Sequence, residues 1–310
     1  MVTTNPTPDI TPDLAAVRTV PRTVKDTPGY RVFRVANAVV LVLACVVTLY
    51  PFVNLVAMAF SSPGAILAGE VNLWPVGFNL TTFDWVFNDE KFWAAYGNTV
   101  VQTVLATAIA MALTTTMAYA LAKKHLKGRQ FFIGLVVVTM FFNGGLIPNY
   151  LLITNLGIKN TIWAIVLPNA ISAFNLLVMK SFFENFPDEL EEAAAIDGLT
   201  TYGVFLRVVL PLSKAVVATM VLFYAVFFWN SWFPAFLYLS DGSLQPVTLY
   251  LRNLLAGVTG AGLEAGAEAA QISANMQAVA MLLIAAPVVA VYPFVQKYFV
   301  TGVMLGSVKG

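Results

Sequence analysis

The residues with the greatest chemical potential in this sequence are acids crowded into one short segment. Six of the chain's 16 Asp and Glu residues lie between Glu184 and Asp197. Clustered carboxylates can serve acid–base catalysis, and together with histidine or cysteine they can bind a transition metal. The only histidine, His125, stands among lysines, and the only cysteine, Cys45, lies in an apolar run as expected for a small buried residue. The acids therefore fit a charged docking helix better than a catalytic site.

The pattern around these acids predicts two short helices that meet at a glycine. Pro187 suits a first helical turn, the acids after it lie near the positive amino end of the helix dipole, and three alanines of high helix propensity follow. Gly198 then permits a corner. Beyond it, apolar residues recur at helical spacing as far as Pro211, where a long apolar run begins. These residues are Tyr202, Phe205, Leu206 and Val209.

The elements that position this segment are apolar enough for a membrane. Of 310 residues, 59% are hydrophobic and 11% are charged, whereas soluble domains have about 25% charged residues. Six stretches without Lys, Arg, Asp or Glu reach the roughly 20 residues that a helix needs to cross about 30 Å of hydrocarbon. Open strands are excluded because lipid cannot satisfy their backbone. We predict an all-α membrane protein with transmembrane helices at 35–60, 92–121, 131–153, 161–180, 214–239 and 272–296.

Basic residues predict the orientation, because they are retained in the cytoplasm. One cluster precedes the first helix and another joins the second to the third; they comprise Arg18, Arg22, Lys25, Arg31, Arg34, Lys123, Lys124, Lys127 and Arg129. The acid-rich residues 61–91 should form an extracytoplasmic loop, and residues 181–213 a cytoplasmic one. The Pro- and Thr-rich residues 1–34 are predicted to be a disordered cytoplasmic leader. Residues 35–296 then form the membrane domain, and 297–310 a cytoplasmic tail.

The spacing of the acidic segment resembles the EAA motif of the membrane subunits of bacterial binding-protein-dependent ABC importers, written EAA, x3, G, x9, I, x, L, P. The matching residues are Glu192, Ala193, Ala194, Gly198, Val208, Leu210 and Pro211. Val208 replaces the usual isoleucine, which removes only one methylene.

Further residues narrow the resemblance to the smaller permease of maltose-type carbohydrate importers. Asp197 and the LPLS run at 210–213 resemble the carbohydrate branch. The Asn98-Thr99 pair and the last five residues, 306–310, are similar to the smaller permease of such importers. The FNGGLIP run at 142–148 resembles a subgroup that handles complex oligosaccharides.

The resemblance implies that residues 181–213 couple the membrane helices to a separate ATPase. Glu192 would pair with a basic group of the ATP-binding subunit, Ala193 and Ala194 would allow close approach, and Gly198 would form the corner. The same coupling set includes Asp197, Leu210 and Pro211, with Pro211 fixing the approach to the fifth helix. Tail residues expected to contact the ATPase are Val308, Lys309 and Gly310.

The implied partners are a second homologous permease, two ATP-binding subunits, an extracytoplasmic solute-binding protein and membrane lipid. The chain contains no GxxxxGK phosphate loop, so ATP and Mg should bind to the partner ATPase. We expect no enzyme activity, cofactor or metal in this chain. Its net charge of +1 gives no reason to expect nucleic acid.

Away from their ends, the predicted spans contain no Lys, Arg, Asp or Glu, although proton- and sodium-coupled carriers usually place such charged groups near mid-membrane. ATP-driven import of a sugar or oligosaccharide by alternating access is therefore the expected function. A secondary carrier or channel for a neutral polar solute is the alternative, and a membrane-embedded enzyme is a third possibility.

Amide and aromatic side chains are the candidates for lining a sugar pathway. Amides hydrogen-bond hydroxyls, and aromatic faces stack on sugar CH groups. The candidates are Asn143, Asn175, Trp229, Asn230 and Trp232. The same residue types also form hydrogen bonds between membrane helices and anchor chains at the membrane interface. The sequence leaves both roles open, together with the identity of the sugar.

Overall fold

The computed structural model describes residues 27–265, 275–291 and 293, with the backbone alone for 257–265. Its described part is helical and contains no strand. The chain divides into two units, Met1–Phe52 and Val53–Gly310. The described part of the first unit belongs to helix α1 (Pro28–Ala59), whose side chains are exposed as far as Phe52. Because α1 begins at Pro28, the last residues of the predicted leader, 28–34, are helical, while 1–26 lie outside the described residues.

The second unit is built around the long helix α4 (Glu90–Ala122), which follows the short helices α2 (Pro63–Leu67) and α3 (Thr81–Phe87). Asp89 caps α4 by accepting a hydrogen bond from the Lys91 amide at 2.8 Å. The later helices are α5 (Arg129–Phe141), α6 (Leu146–Asn155), α7 (Trp163–Val166), α8 (Ala173–Glu184), α9 (Asp188–Ile196), α10 (Thr201–Val204), α11 (Leu210–Leu212), α12 (Lys214–Trp229), α13 (Trp232–Tyr238), α14 (Val247–Ala265) and α15 (Asn275–Val291).

Two described helices, α1 and α4, are each long and apolar enough to cross a membrane, and they match the predicted spans at 35–60 and 92–121. Three further stretches reach that length only as bent pairs, so the described residues provide two to five candidate spans. The predicted sixth span, 272–296, coincides with the shorter apolar helix α15 where the structure describes it.

The prediction of one continuous helix at 131–153 is wrong. α5 ends at Phe141, α6 begins at Leu146, and the chain bends by 115° between them. Gly145 adopts a φ of +85°, and its amide donates to Asn143 Oδ1 at 2.9 Å. Glycine tolerates this conformation, and the asparagine side chain offers the backbone a turn in place of a helical bond.

Two other predicted helices are also interrupted. The predicted helix 161–180 bends by 49° between the α7 segment and α8, where Ser172 caps α8 by accepting from the Asn175 amide at 3.4 Å. The predicted helix 214–239 is broken between α12 and α13, at Asn230 and Ser231. Hydropathy extends across these breaks because the flanking residues are apolar.

α4 packs most extensively against α8 and α12. Small residues on its packed face let neighbouring helices approach closely. They are Ala106, Ala110, Thr114 and Ala118, none of them exposed. The hydroxyls of Thr114 and Tyr224 on α12 lie 2.7 Å apart, and Tyr224 also accepts from the Ser172 amide at 3.0 Å. One buried tyrosine therefore joins α4, α8 and α12.

Candidate functional site

The EAA loop, defined as residues 181–213, contains a helix that ends at a glycine corner. α9 follows Pro187 and has three acids in its first turn. Gly198 has a φ of +84°. The Gly198 amide donates to the Ala195 carbonyl at 3.0 Å, and the Leu199 amide donates to the Ala194 carbonyl at 3.1 Å. These two bonds form a Schellman cap, which confirms the predicted corner.

The second half of the EAA loop is a continuous but irregular helical segment. Thr200 caps α10 by accepting from the Gly203 amide at 3.3 Å, and a π-helical turn, Phe205–Val209, joins α10 to α11. Pro211 has no amide hydrogen to donate to the carbonyl four residues earlier, which disfavours a regular α-helix here. The segment Thr201–Leu212 then meets α12 at 84°.

The exposed face of the EAA loop combines acids with apolar side chains. Glu192, Ala193 and Asp197 are exposed, whereas Ala194 is buried in the core. Ala194 therefore packs within the chain, and Ala193 is the alanine of the motif available to a partner. Large apolar side chains are exposed on the same loop: Leu190, Ile196 (85% exposed), Tyr202 (75%) and Leu206.

The acid that precedes the motif glutamate points into the molecule. Glu191 forms an ion pair with Lys123, the residue that follows α4, and accepts a hydrogen bond from the Tyr119 hydroxyl at 3.1 Å. The Lys123 ammonium also lies 4.5 Å from the centre of the Tyr119 ring. Only 19% of the Lys123 side chain and 16% of the Glu191 side chain are exposed. The sequence predicted a role for Glu192 and missed that of Glu191.

A second ionic contact fixes the base of the EAA loop. Glu184, at the end of α8, pairs with Arg129 at the start of α5 and with Lys180 at 2.8 Å. Arg129 Nε also donates to the Leu121 carbonyl at 2.8 Å. Basic residues that indicated orientation in the sequence therefore also connect α4 and α5 to the EAA loop. The basic residues at 123–129 and the acidic residues of the EAA loop have opposite charges, which favours contact between the two segments. The sequence alone does not show which residues pair.

An aromatic cluster lies beside the ion pairs. The Tyr119 ring stacks on Phe205 with centroids 4.8 Å apart and meets Phe183 edge-on at 6.0 Å. These residues belong to α4, the second half of the EAA loop and α8. Both helical segments of the EAA loop are therefore bound to α4, one through charge and one through aromatic packing.

The other end of α4 holds a different loop, residues 240–247, through neutral groups. Asn98 Nδ2 donates to the carbonyls of Ser243 at 2.6 Å and Gln245 at 3.2 Å, and Gln102 Nε2 donates to that of Leu244 at 3.0 Å. Thr99 Oγ1 accepts from the Val247 amide at 2.7 Å. The Asn98-Thr99 pair, noted in the sequence only for its resemblance, therefore has a structural role.

Further polar contacts surround the 240–247 loop. Asn160, with a φ of +60°, accepts at Oδ1 from the amides of Ser240 at 3.0 Å and Asp241 at 2.9 Å. The Ser243 amide donates to Asp241 Oδ1 at 2.8 Å, and this bond lowers the pKa of Asp241. A cavity of about 340 Å³ lies beside the loop and is lined by Asn98, Val101, Gln102, Asn160, Thr161, Ile162 and Leu244.

Next to this loop, α14 contacts the residue that caps α4. The Tyr250 hydroxyl hydrogen-bonds to the Asp89 carboxylate. Burial and then the interaction with Asp89 raise the pKa of Tyr250. Asp89 therefore caps α4 through one oxygen and holds α14 through the other.

The pathway candidates fall into exposed and buried groups. Asn143 and Asn230 are exposed at helix breaks. Trp232 is 37% exposed, and the Arg252 guanidinium lies over the Trp232 ring, 4.6 Å from the ring centre. Asn175 and Trp229 are buried. Trp229 donates to the Ile284 carbonyl at 3.0 Å and meets Tyr96 edge-on. The tail candidates Val308, Lys309 and Gly310 lie outside the described residues.

An all-helical unit with helices long enough to span a membrane and an exposed acidic and apolar loop is consistent with a membrane transport permease. Residues 130–304 match the family described as "binding-protein-dependent transport system inner membrane component". Protein LplC of Bacillus subtilis (strain 168) is 40% identical over 290 residues, which cover 93% of this chain and 98% of LplC. A second relative from the same strain is YtcP, the polygalacturonan/rhamnogalacturonan transport system permease protein. It is 38% identical over 273 residues, which cover 87% of this chain and 96% of YtcP.

A solved structure agrees with these matches. A chain of a bacterial ABC transporter involved in the import of the acidic polysaccharide alginate superimposes with a TM-score of 0.78 and 32% identity, covering 88% of this chain and 98% of that one. The chain therefore belongs to the family of inner-membrane components of binding-protein-dependent transport systems. It is an ABC importer permease, which excludes the secondary carrier or channel that the sequence left as an alternative.

Proposed function

We propose that this chain is one of two permeases of an importer that moves a sugar or oligosaccharide from a binding protein into the cytoplasm by alternating access. The observation that carries this proposal is the exposed face of the EAA loop. The acidic helix α9, with Glu192 and Ile196 exposed, suits a groove on a partner protein, and Tyr202 on α10 adds an exposed apolar side chain beyond the Gly198 corner. One ATP-binding subunit would bind to this surface and a second one to the other permease. The two subunits would bind ATP and Mg, and their closure around ATP would move the EAA loop.

The proposed orientation places the EAA loop in the cytoplasm. The turn between α4 and α5 contains Lys123, Lys124, Lys127 and Arg129, and an excess of basic residues favours the cytoplasmic side. The 240–247 loop, at the opposite end of α4, would then face the binding protein. Both termini would be cytoplasmic, with the tail residues 308–310 against the ATP-binding subunits.

The substrate is proposed to be a complex oligosaccharide. YtcP is named for polygalacturonan and rhamnogalacturonan, and the structural relative imports alginate. In this chain the exposed Trp232 offers an aromatic face, and Arg252 presents a guanidinium over that ring and over Phe236 at 4.8 Å. Aromatic faces suit sugar CH groups, and a guanidinium suits a carboxylate. Acidic oligosaccharides are therefore the first to test.

The test is purification of the chain from its native membrane, followed by uptake measurements in vesicles. We expect a second permease and two copies of an ATP-binding subunit to co-purify, and uptake to require ATP and the binding protein. The binding protein should be stabilised against heat by acidic oligosaccharides, such as those of galacturonate or alginate, more than by neutral ones. A solitary homodimer that transports without an ATPase would contradict the proposal.

A further inference from the structure

Helix α4 is bound at each of its ends to a loop that is distant in sequence. At one end Lys123 and Tyr119 hold Glu191 of the EAA loop. At the other end Asn98 and Gln102 hold carbonyls of the 240–247 loop. Asn98 and Lys123 lie 25 residues apart along the chain of α4, so at about 1.5 Å per residue about 38 Å separates them, which exceeds the roughly 30 Å of hydrocarbon that one span crosses. The contacts at Asn98 and Lys123 therefore lie near opposite sides of one membrane span.

Between these contacts α4 is well suited to move as a rigid body. It contains no proline, and its interior face is buried against α8 and α12 over several turns. The covalent route from the EAA loop to α12 is less direct, because the loop meets α12 at an 84° bend by Ser213. A displacement of α9 would therefore have to pass a bend to reach α12 along the chain. It can reach α4 directly, through the ion pair between Glu191 and Lys123.

We propose that α4 transmits displacement of the EAA loop to the 240–247 loop, and that Lys123 and Glu191 are the positioning residues at its cytoplasmic end. The inference rests on the importer function proposed above. Glu192 contacts the ATPase, Glu191 transfers the movement of α9 to α4, and the amides of Asn98 and Gln102 transfer it to the opposite loop. The two adjacent glutamates thus have separate roles, one toward the partner and one toward the permease.

The test measures hydrogen exchange of backbone amides in residues 240–247 in the complete reconstituted complex, with and without Mg-ATP and vanadate. In the parent complex, trapping with vanadate should change the exchange rates in this loop. In Lys123→Gln this response should fall about two- to thirtyfold, the range for residues that carry coupling. Lys127→Gln, an exposed residue of the same turn, is the matched control and should respond like the parent.

The charge-reversed double variant, Lys123→Glu with Glu191→Lys, separates coupling from folding. It should restore the exchange response, because the ion pair is rebuilt with opposite polarity. A Lys123→Gln complex that retains its ATPase subunits and the full response would overturn the inference, as would a parent loop that does not respond to vanadate. A double variant that assembles without responding, or fails to assemble, would show that the pair is only structural and would also overturn it.

These outcomes differ from failure of the proposed function. If the importer function were wrong, no ATP-binding subunit would co-purify with the parent chain. If only the role of α4 were wrong, the parent complex would assemble and transport, while the substitution at Lys123 would leave the exchange of the 240–247 loop unchanged.

Discussion

The two ends of α4 hold their partner loops through different chemistry. At the EAA end, Lys123 pairs with Glu191 of α9, and nearby Arg129, the first residue of α5, pairs with Glu184 of α8. At the other end, Asn98 and Gln102 donate to backbone carbonyls. An ion pair requires a particular side chain on both partners. A bond from a side-chain amide to a backbone carbonyl requires a particular side chain on only one partner, so the sequence of the loop can vary. The EAA end is therefore more sensitive to single substitutions and to salt than the amide end.

The difference also concerns movement. Coulombic attraction declines gradually with distance, so a charged pair still interacts after a small displacement. A hydrogen bond weakens steeply when its angle or length changes. Charged contacts thus suit the end that would be displaced by a partner, and directional contacts suit a loop that must follow α4 when the helix moves. Four predictions test this comparison, in order of decreasing expected effect.

The largest effect is expected for Glu192→Lys. Glu192 is exposed and has no role in the contacts that hold α9 to α4. Glu192→Gln would leave a basic partner unpaired at a desolvated interface and should weaken ATPase association by about 2 to 5 kcal/mol, and the reversed charge of Glu192→Lys should weaken it further. Retention of the ATP-binding subunits during purification over a salt series measures this loss. Glu192→Gln should lose less, and an acidic substitution at the partner cation should restore uptake of Glu192→Lys.

The thermal stability of the permease alone separates this role from folding. Because Glu192 is exposed, its substitution should leave the unfolding temperature in detergent unchanged. Normal assembly and transport by Glu192→Lys would contradict the docking role.

A smaller effect is expected for Glu191→Gln, and it should appear in folding stability. The change removes a charge-assisted contact with Lys123 and leaves a mostly buried ammonium without its partner. A loss of about 2 kcal/mol in the free energy of unfolding follows, since hydrogen bonds to charged groups contribute about 1.5 to 3 kcal/mol. The difference from the parent should shrink modestly at high salt, because salt screens this partly exposed pair, although less than it would screen a surface pair. Unfolding in detergent at low and high salt measures both quantities.

The comparison of adjacent residues shows what sequence could and could not predict. The corner at Gly198 and the helix after Pro187 were predictable, because both depend on local backbone preferences. The ion pair between Lys123 and Glu191 joins residues 68 apart, and Asn98 contacts a carbonyl 145 residues away. Such contacts depend on how the helices pack, which local patterns do not specify.

The helix breaks were missed for a different reason. Hydropathy measures how apolar a stretch is, and the residues around Asn143 and Asn230 are strongly apolar on both sides. Each break depends on the backbone of two or three residues, such as the φ of +85° at Gly145. The NGG run was visible in the sequence and is a recognised turn signal. The apolar length of the stretch outweighed it in the prediction.

At the amide end, Asn98→Ala should reduce stability by about 1 to 2 kcal/mol, because it removes two neutral hydrogen bonds that contribute about 1 kcal/mol each. The carbonyls of Ser243 and Gln245 would lose one donor. In contrast to Glu191→Gln, this loss should be the same at low and high salt, because no charge is involved. Asn155→Ala is a matched control, since Asn155 is exposed and is the last residue of α6. A salt-dependent loss for Asn98→Ala would contradict the neutral character of this contact.

The smallest expected effect is that of Gly198→Ala, and it tests the corner without touching either end of α4. No atom lies within 4 Å of the position that a Cβ would take, so the added methyl meets open space. The cost comes only from the φ of +84°, which a residue with a Cβ adopts at a penalty of about 1 kcal/mol. Gly198→Asn should cost less, because asparagine tolerates this region better than alanine. Unfolding in detergent should therefore rank glycine above asparagine and asparagine above alanine. Equal stability of all three would show that the corner is not held at positive φ in the membrane.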